Sequence, residues 1–213
     1  MKIGVLGSGV VARTLAAGFL RHGHQVCLGT RDTGKLADLQ AAQPGLELGS
    51  VSAAAEFGEL LVLAVKGTAA VAVLESAGEE RLAGKVVLDA TNPIADLPPE
   101  GGVLRLFTEE GESLLERLQE AFPAVRLVKA FSCVGSALMV NPELPGGPPS
   151  MFICGDDLKA KESAGRILAQ FGWQSVDMGD VRGARAIEPL VMLWCLPGFL
   201  RGEWSHAFKL LAS

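Results

Sequence analysis

Six residues near the start of the chain have the types and spacing needed to hold a phosphate without a charged side chain. Gly7-Ser8-Gly9-Val10-Val11-Ala12 reads G-x-G-x-x-A. It follows an apolar run, Ile3 to Leu6, and opens a stretch of helical periodicity carried by Val11, Ala12, Leu15, Ala16 and Phe19. In a strand, turn and helix of this kind the first glycine allows the sharp turn. The second lets a pyrophosphate approach the backbone, and the small third residue lets the helix pack close to the strand. Free amides and the positive end of the helix then face the phosphates. A glycine turn can also serve packing alone, but the flanking strand, the helix and a second strand at the right distance favour dinucleotide binding.

The second apolar run ends Cys27-Leu28-Gly29-Thr30-Arg31-Asp32. A site selective for NAD places a carboxylate at this strand end to hold the ribose 2'-hydroxyl. Thr30 and Arg31 stand there instead, with Lys35 one turn onward. A hydroxyl, a guanidinium and an ammonium attract a 2'-phosphate that a carboxylate would repel. The chemistry therefore favours NADP(H), and Asp32 is expected to open the next helix. The first 31 residues carry four cations and no acid in a chain whose formal net charge is -5, which suits a small anionic ligand.

Ligands in open parallel sheets sit at the carboxyl ends of the strands. Those ends are Lys66-Gly67-Thr68, Thr91-Asn92-Pro93 and Phe131-Ser132-Cys133. Asn92 has the groups to bond a carboxamide or a ribose, and serves equally well as a turn former before proline. Lys66 can reach a phosphate or a substrate, or stand solvated in its loop. Ser132 and Cys133 can line a ring pocket, but Cys133 has no basic partner nearby to make it a nucleophile. His22, His24 and His206 read as structural. The chain has no tyrosine, so a Tyr-x-x-x-Lys proton relay is excluded. No catalytic side chain and no metal ligand set is assigned.

The elements that must position these residues alternate. Strand-like runs are Ile3–Leu6, Gln25–Leu28, Leu46–Leu48, Leu60–Val65 and Val86–Asp89, with helical stretches between them. Strands that are almost continuously apolar are buried on both faces, which predicts a parallel sheet covered by helices on both sides. Gly23 suits the residue that closes the first helix, and Ser52 and Thr68 suit helix N-caps. Glu112–Phe122 predicts a helix, Val125–Lys129 a strand, Met151–Cys154 a strand, Asp157–Phe171 a helix and Ser175–Met178 a strand. A last helical region, broken at Pro197-Gly198, is expected from about Arg182 to Leu211. The fold class expected is α/β, a Rossmann-type doubly wound parallel sheet with a small C-terminal α/β-helical extension. Residues 1–140 form its nucleotide-binding part and 150–213 the small domain, with the Pro/Gly-rich segment 141–149 as linker.

Composition closes off other classes. Hydrophobic residues make up 49% of 213, enough for a substantial core. The acidic balance argues against nucleic acid as a partner. Cys27, Cys133, Cys154 and Cys195 are scattered in apolar runs with no C-x-x-C pair, as in a reduced, cytoplasmic protein. The apolar stretch Leu190–Leu200 falls short of the ~20 residues a spanning helix needs, so no membrane partner is expected.

The residues resemble a known family. Gly7-Ser8-Gly9, Gly29-Thr30-Arg31 and Asp89-Ala90-Thr91-Asn92-Pro93 look like NADPH-dependent coenzyme F420 reductases, a module that also forms the cytosolic reductase domain of six-transmembrane metalloreductases. Val128-Lys129-Ala130-Phe131-Ser132 is similar to the family's V-K-A-F-N-T segment, and Cys154-Gly155-Asp156-Asp157 to its C-G-D-D. Ala184 to Leu190 and Ala207 to Leu211 follow its closing pattern. The resemblance implies that Gly7, Ser8, Gly9, Val10 and Val11 hold a pyrophosphate and that Thr30, Arg31 and Lys35 hold a 2'-phosphate. It places Ala64, Val65, Lys66, Asn92 and Ala130 along the ribose and nicotinamide. Ser132-Cys133 departs from the family's Asn-Thr next to the second ring system.

The implied reaction is hydride transfer between NADP(H) and a deazaflavin or flavin-type acceptor such as coenzyme F420. Gly135, Ser136 and the apolar tail would wall the slot. The chain shows no counterpart of a heme-bearing membrane half, so a soluble protein is expected. Two other readings stand beside this one: an NADPH-binding sensor or scaffold without turnover, and an NADP-dependent hydroxyacid or imine reductase. Leu190, Leu193, Trp194, Leu196 and Phe199 are expected to form a homodimer contact.

Overall fold

The computed structural model describes residues 1–211. Six parallel strands, β1 (Lys2–Leu6), β2 (Gln25–Gly29), β3 (Leu46–Gly49), β4 (Leu60–Leu63), β5 (Val86–Asp89) and β6 (Arg126–Lys129), lie in the order β3-β2-β1-β4-β5-β6. The order reverses beside β1, so β1 and β4 open a crevice at their carboxyl ends. Helices α1 (Val10–Arg21), α2 (Ala37–Ala42), α3 (Val51–Phe57), α4 (Ala70–Ala77), α5 (Glu79–Leu82) and α6 (Leu114–Ala121) connect them. A second, two-stranded parallel sheet follows, made of β7 (Ser150–Ile153) and β8 (Gln174–Asp177) around α7 (Leu158–Gln170). The short α8 (Ala184–Ile187) and α9 (Leu190–Arg201) end the helical part. The expected Rossmann-type sheet is observed.

The two faces of the main sheet carry separate apolar clusters. On one, Leu15 and Phe19 of α1 pack with Ile3, Val5, Val128, Ile167 and Phe171. On the other, Leu61, Leu63 and Val87 pack with Leu74 of α4, Leu115 and Leu118 of α6 and Ile187 of α8. The segment 141–149 is a mostly exposed connection, and the unit beyond it shares the first cluster through α7. Lys129 N–H donates to the Cys154 carbonyl at 3.0 Å, joining the edge of one sheet to the other. Ala212 and Ser213, which the expected small domain includes, lie outside the described residues.

Several local expectations need correction. Ser50, not Ser52, caps α3, accepting from Ala53 N–H at 3.1 Å. Thr68 sits inside a 3-10 turn ahead of α4, and its hydroxyl donates to Asp96. Gly23 closes α1 as expected, with φ +77° and its N–H on Leu20 O. The last helix neither breaks at Pro197 nor reaches Leu211. It runs through the proline because Val191, Trp194 and Gly198 stay packed on both sides of it, which outweighs one lost backbone bond. It stops at Gly202, whose φ of +72° closes the C-terminus. Beyond that the chain turns back along α9: Trp204 lies against Gly198, and Trp194 Nε1 donates to His206 O at 2.8 Å.

The run Val181–Arg201 spans 21 residues, and its most apolar 18-residue window has a mean hydropathy of 1.2. By length and composition alone it can cross a membrane, contrary to the estimate from Leu190–Leu200. A third of its most apolar window is buried inside the protein.

Candidate functional site

Gly7 and Gly9 are glycines for different reasons. Gly7 has φ +132°, and a Cβ there would lie 2.3 Å from Ala64 O, so the fold itself demands glycine. Gly9 has an ordinary φ of -71°, and nothing lies within 4 Å of where its Cβ would stand. Packing leaves room for a side chain that the sequence withholds. That room opens into a cavity of about 550 Å³ lined by Gly7, Ser8, Gly9, Val10 and Val11 of the turn, Thr30 and Arg31 after β2, and Ala64, Val65 and Lys66 after β4. The volume suits a cofactor-sized ligand.

The expected 2'-phosphate group divides. Arg31 lines the cavity, exposed, with no ion-pair partner among the described residues. Thr30 lines it too, but its hydroxyl donates to Ser8 Oγ at 3.2 Å and receives Asp32 N–H at 3.3 Å. Lys35 is not brought to the cavity wall: its Nζ lies 3.5 Å from Asp32 Oδ2 on the exposed turn. Asp32 also accepts from Gly34 N–H at the head of this 3-10 turn, so it does not open a helix as expected: α2 begins only at Ala37. Arg13 Nε donates to Ser8 O at 2.9 Å, a brace on the glycine turn that no pattern in the sequence signalled.

A second cavity adjoins the first and shares Val11, Val65, Lys66 and Ala90 with it. Its outer wall is the loop after β5, where Ile94 bridges to Leu106. Lys66 Nζ meets Asp96 Oδ1 at 2.8 Å across the rim, and this hydrogen bond and charge hold the Asp96 carboxyl below the usual carboxylate range. Asn92 lines the same cavity. Its Nδ2 donates to Ser132 O at 2.7 Å, while its Oδ1 and the Ser132 hydroxyl are buried with no partner. Two buried polar atoms left without partners beyond the ends of the neighbouring strands β5 and β6 are groups a bound polar ligand can satisfy. Together with the open space at Gly9, they fit a dinucleotide. Ala130 is fully buried behind this wall and lines neither cavity.

Phe131 precedes Ser132 with φ +59°, a left-handed conformation for a bulky residue. Cys133 is 2% exposed, and burial pushes its thiol up to about 11, so it is no thiolate nucleophile near neutral pH. Gly135 seats Trp194: a Cβ there would lie 2.3 Å from the indole. Trp194 is therefore buried within the chain, leaving Leu193, Phe199, Leu200 and Trp204 exposed on that side. His206 is not in a helix; its ring stacks on Trp194 at 5.0 Å. Among the described residues no group of three or more His, Cys, Asp or Glu could hold a metal ion.

Beneath the strand ends lies an ion cluster missed in the sequence. Lys129 Nζ is 2.6 Å from Asp89 Oδ2 and 2.8 Å from Glu188 Oε1, and all three side chains are essentially unexposed. Burial favours the neutral amine, but the two carboxylates outweigh it and hold Lys129 above its usual value. Lys129 also donates to Thr91 O at 3.0 Å, and Thr91 N–H and Oγ1 donate to Asp89 Oδ1 at 2.9 and 2.6 Å. Glu188 accepts from Leu114 and Leu115 N–H at the start of α6, at 2.8 and 3.0 Å.

Comparison with known proteins gives this geometry a context. The family described as NADP oxidoreductase coenzyme F420-dependent matches residues 2–93. A protein from Arthrobacter sp. fb24 assigned as an F420-dependent NADP-reductase is 33% identical over the whole of both chains, with a TM-score of 0.92. The rat metalloreductase STEAP3 is 32% identical over 206 residues, 93% of this chain. The chain spans only 39% of that relative's length. An imine reductase from Streptomyces aurantiacus covers 94% of this chain and 63% of its own, with a TM-score of 0.69 at 22% identity, a likeness of fold.

Proposed function

From the premise that the chain belongs to the coenzyme F420-dependent NADP oxidoreductase family, we propose that it transfers a hydride between NADP(H) and a flat deazaflavin or flavin-type acceptor. The observation that carries this reading is the pair of joined cavities. One runs over the glycine turn to Arg31, and the other continues past Lys66 and Ala90 to Asn92.

The turn amides and the start of α1 would hold the pyrophosphate, where Gly9 keeps the backbone bare. Arg31 would hold the 2'-phosphate, with Thr30 fixing the turn beside it and Lys35 adding charge at longer range. Asn92 and the Ser132 hydroxyl would bond the carboxamide or ribose. The bound coenzyme supplies the hydride chemistry itself. The protein's part is to stack the two rings and keep water out, with reacting atoms ~3–3.5 Å apart. That division of labour explains a site with no histidine or carboxylate placed as acid or base. A second copy of the chain would cover the exposed Leu193, Phe199 and Leu200.

The test is steady-state oxidation of NADPH by purified protein with F420, FMN, FAD and a ferric chelate as acceptors. Turnover with F420 or a flavin is expected. Tight NADPH binding with no turnover would favour a sensor or scaffold, and turnover confined to a keto acid or an imine would favour a dehydrogenase; either overturns the acceptor assignment.

A further inference from the structure

The ion cluster of Lys129, Asp89 and Glu188 is built from one cation and two acids in the core of the protein, and it has no outlet to solvent. The two carboxylates are held by Lys129 Nζ, by Thr91 N–H and Oγ1, and by Leu114 N–H and Leu115 N–H. One cation set between two acids gives the cluster a formal charge of one negative unit. The α6 N-terminus, worth roughly half a positive charge, offsets it only in part.

Its position gives that charge a consequence. Asp89 and Lys129 are the last residues of β5 and β6, at the edge of the sheet where the cavities open. Thr91, clamped by both, directly precedes Asn92 in the cavity wall. The residues after Lys129, through Phe131, lead to Ser132 with its unpartnered hydroxyl. A buried charge at such a place is screened far less than one at the surface.

We infer that this cluster is an electrostatic device that favours the oxidised, cationic nicotinamide over the neutral reduced ring, and so eases hydride donation from NADPH. The inference rests on the proposed NADP(H) reading and adds to it a role for three residues that touch neither cavity. They are positioning and polarising residues, acting through Thr91 and Asn92 and through their field.

The measurement is the ratio of NADP+ to NADPH affinity by titration calorimetry. Glu188→Gln removes the excess negative charge, as does Asp89→Asn from the neighbouring strand. Each should weaken NADP+ relative to NADPH by about fivefold or more, the order expected of unit charges acting through protein of effective dielectric about 20. Combining either with Lys129→Met restores one negative charge and should return the ratio toward that of the unaltered protein. A general loosening of the site would instead make it worse. A ratio unmoved in whichever single variant folds, or a combined variant no closer to the original, overturns the inference. An unaltered protein that binds neither nucleotide overturns the cofactor reading instead.

Discussion

Thr30 Oγ1 donates to Ser8 Oγ at 3.2 Å, so the glycine turn and the end of β2 are joined side chain to side chain. This bond, with Asp32 N–H on Thr30, engages the hydroxyl within the protein, and Arg31 at the cavity rim is the proposed reader of the 2'-phosphate. Arg31→Ala should therefore weaken NADPH by about 1.5–3 kcal/mol, the worth of hydrogen bonds to charged groups. NADH should be nearly unaffected. Calorimetry with both nucleotides decides it, and equal losses would remove the 2'-phosphate role.

The two turn glycines predict opposite failures. Gly9→Val places its side chain in open space at an ordinary φ. It should leave the denaturant midpoint almost unchanged while abolishing nucleotide binding. Gly7→Ala forces a Cβ onto Ala64 O at φ +132° and should destabilise the fold by roughly 2 kcal/mol or more. Unfolding curves and calorimetry on the two proteins separate the roles.

Much of this was legible in the sequence, for reasons that the fold makes plain. Strands buried on both faces must be apolar throughout, so Leu60–Leu63 and Val86–Asp89 announced themselves. The glycine turn is local and its spacing carries its own geometry. The ion cluster was hidden because its members lie on three distant segments. Its trace was a charge inside an apolar run, Lys129 after Val128 and Asp89 after Leu88. The tail misled for a different reason. Trp204, His206 and Phe208 follow an apolar helix, but their partners are Gly198, Trp194 and Ser150, which they reach only when the chain turns back.

Lys129 predicts a pH dependence with a definite sign. Its folded value is raised above the ordinary 10.5 by Asp89 and Glu188, which outweigh the opposing effect of burial. The stability it contributes is thus complete below about pH 10.5 and lost only as pH rises through the higher folded value. Thermal unfolding followed from pH 7 to 10 should show no loss from this group. Lys129→Met leaves two buried carboxylates without their cation and should cost about 3–5 kcal/mol at pH 7.

Cys133 offers a check on the chemistry of the site. Burial lifts its thiol to about 11 and leaves it 2% exposed. Alkylation of the folded protein at pH 8 should spare it, and Cys133→Ala should retain NADPH turnover. Mass mapping after iodoacetamide treatment reads the first result, and initial rates the second. Rapid labelling or lost turnover would return the thiol to the mechanism.

Gly135 and Trp194 make the last prediction. The loop after β6 passes so close to the indole that a Cβ at Gly135 would sit 2.3 Å from Trp194 Cη2. Trp194 is in turn held by His206, through Nε1 on its carbonyl at 2.8 Å and the stacked ring. Loop, α9 and the returning tail therefore move together or not at all. Gly135→Ala should displace the indole, cost about 1–3 kcal/mol as overpacking does, and shift tryptophan emission. If the loop carries Ser132 to the ring end of the site, the same variant should also lower turnover more than NADPH affinity. Unchanged emission and stability would mean that the tail and the loop are not coupled.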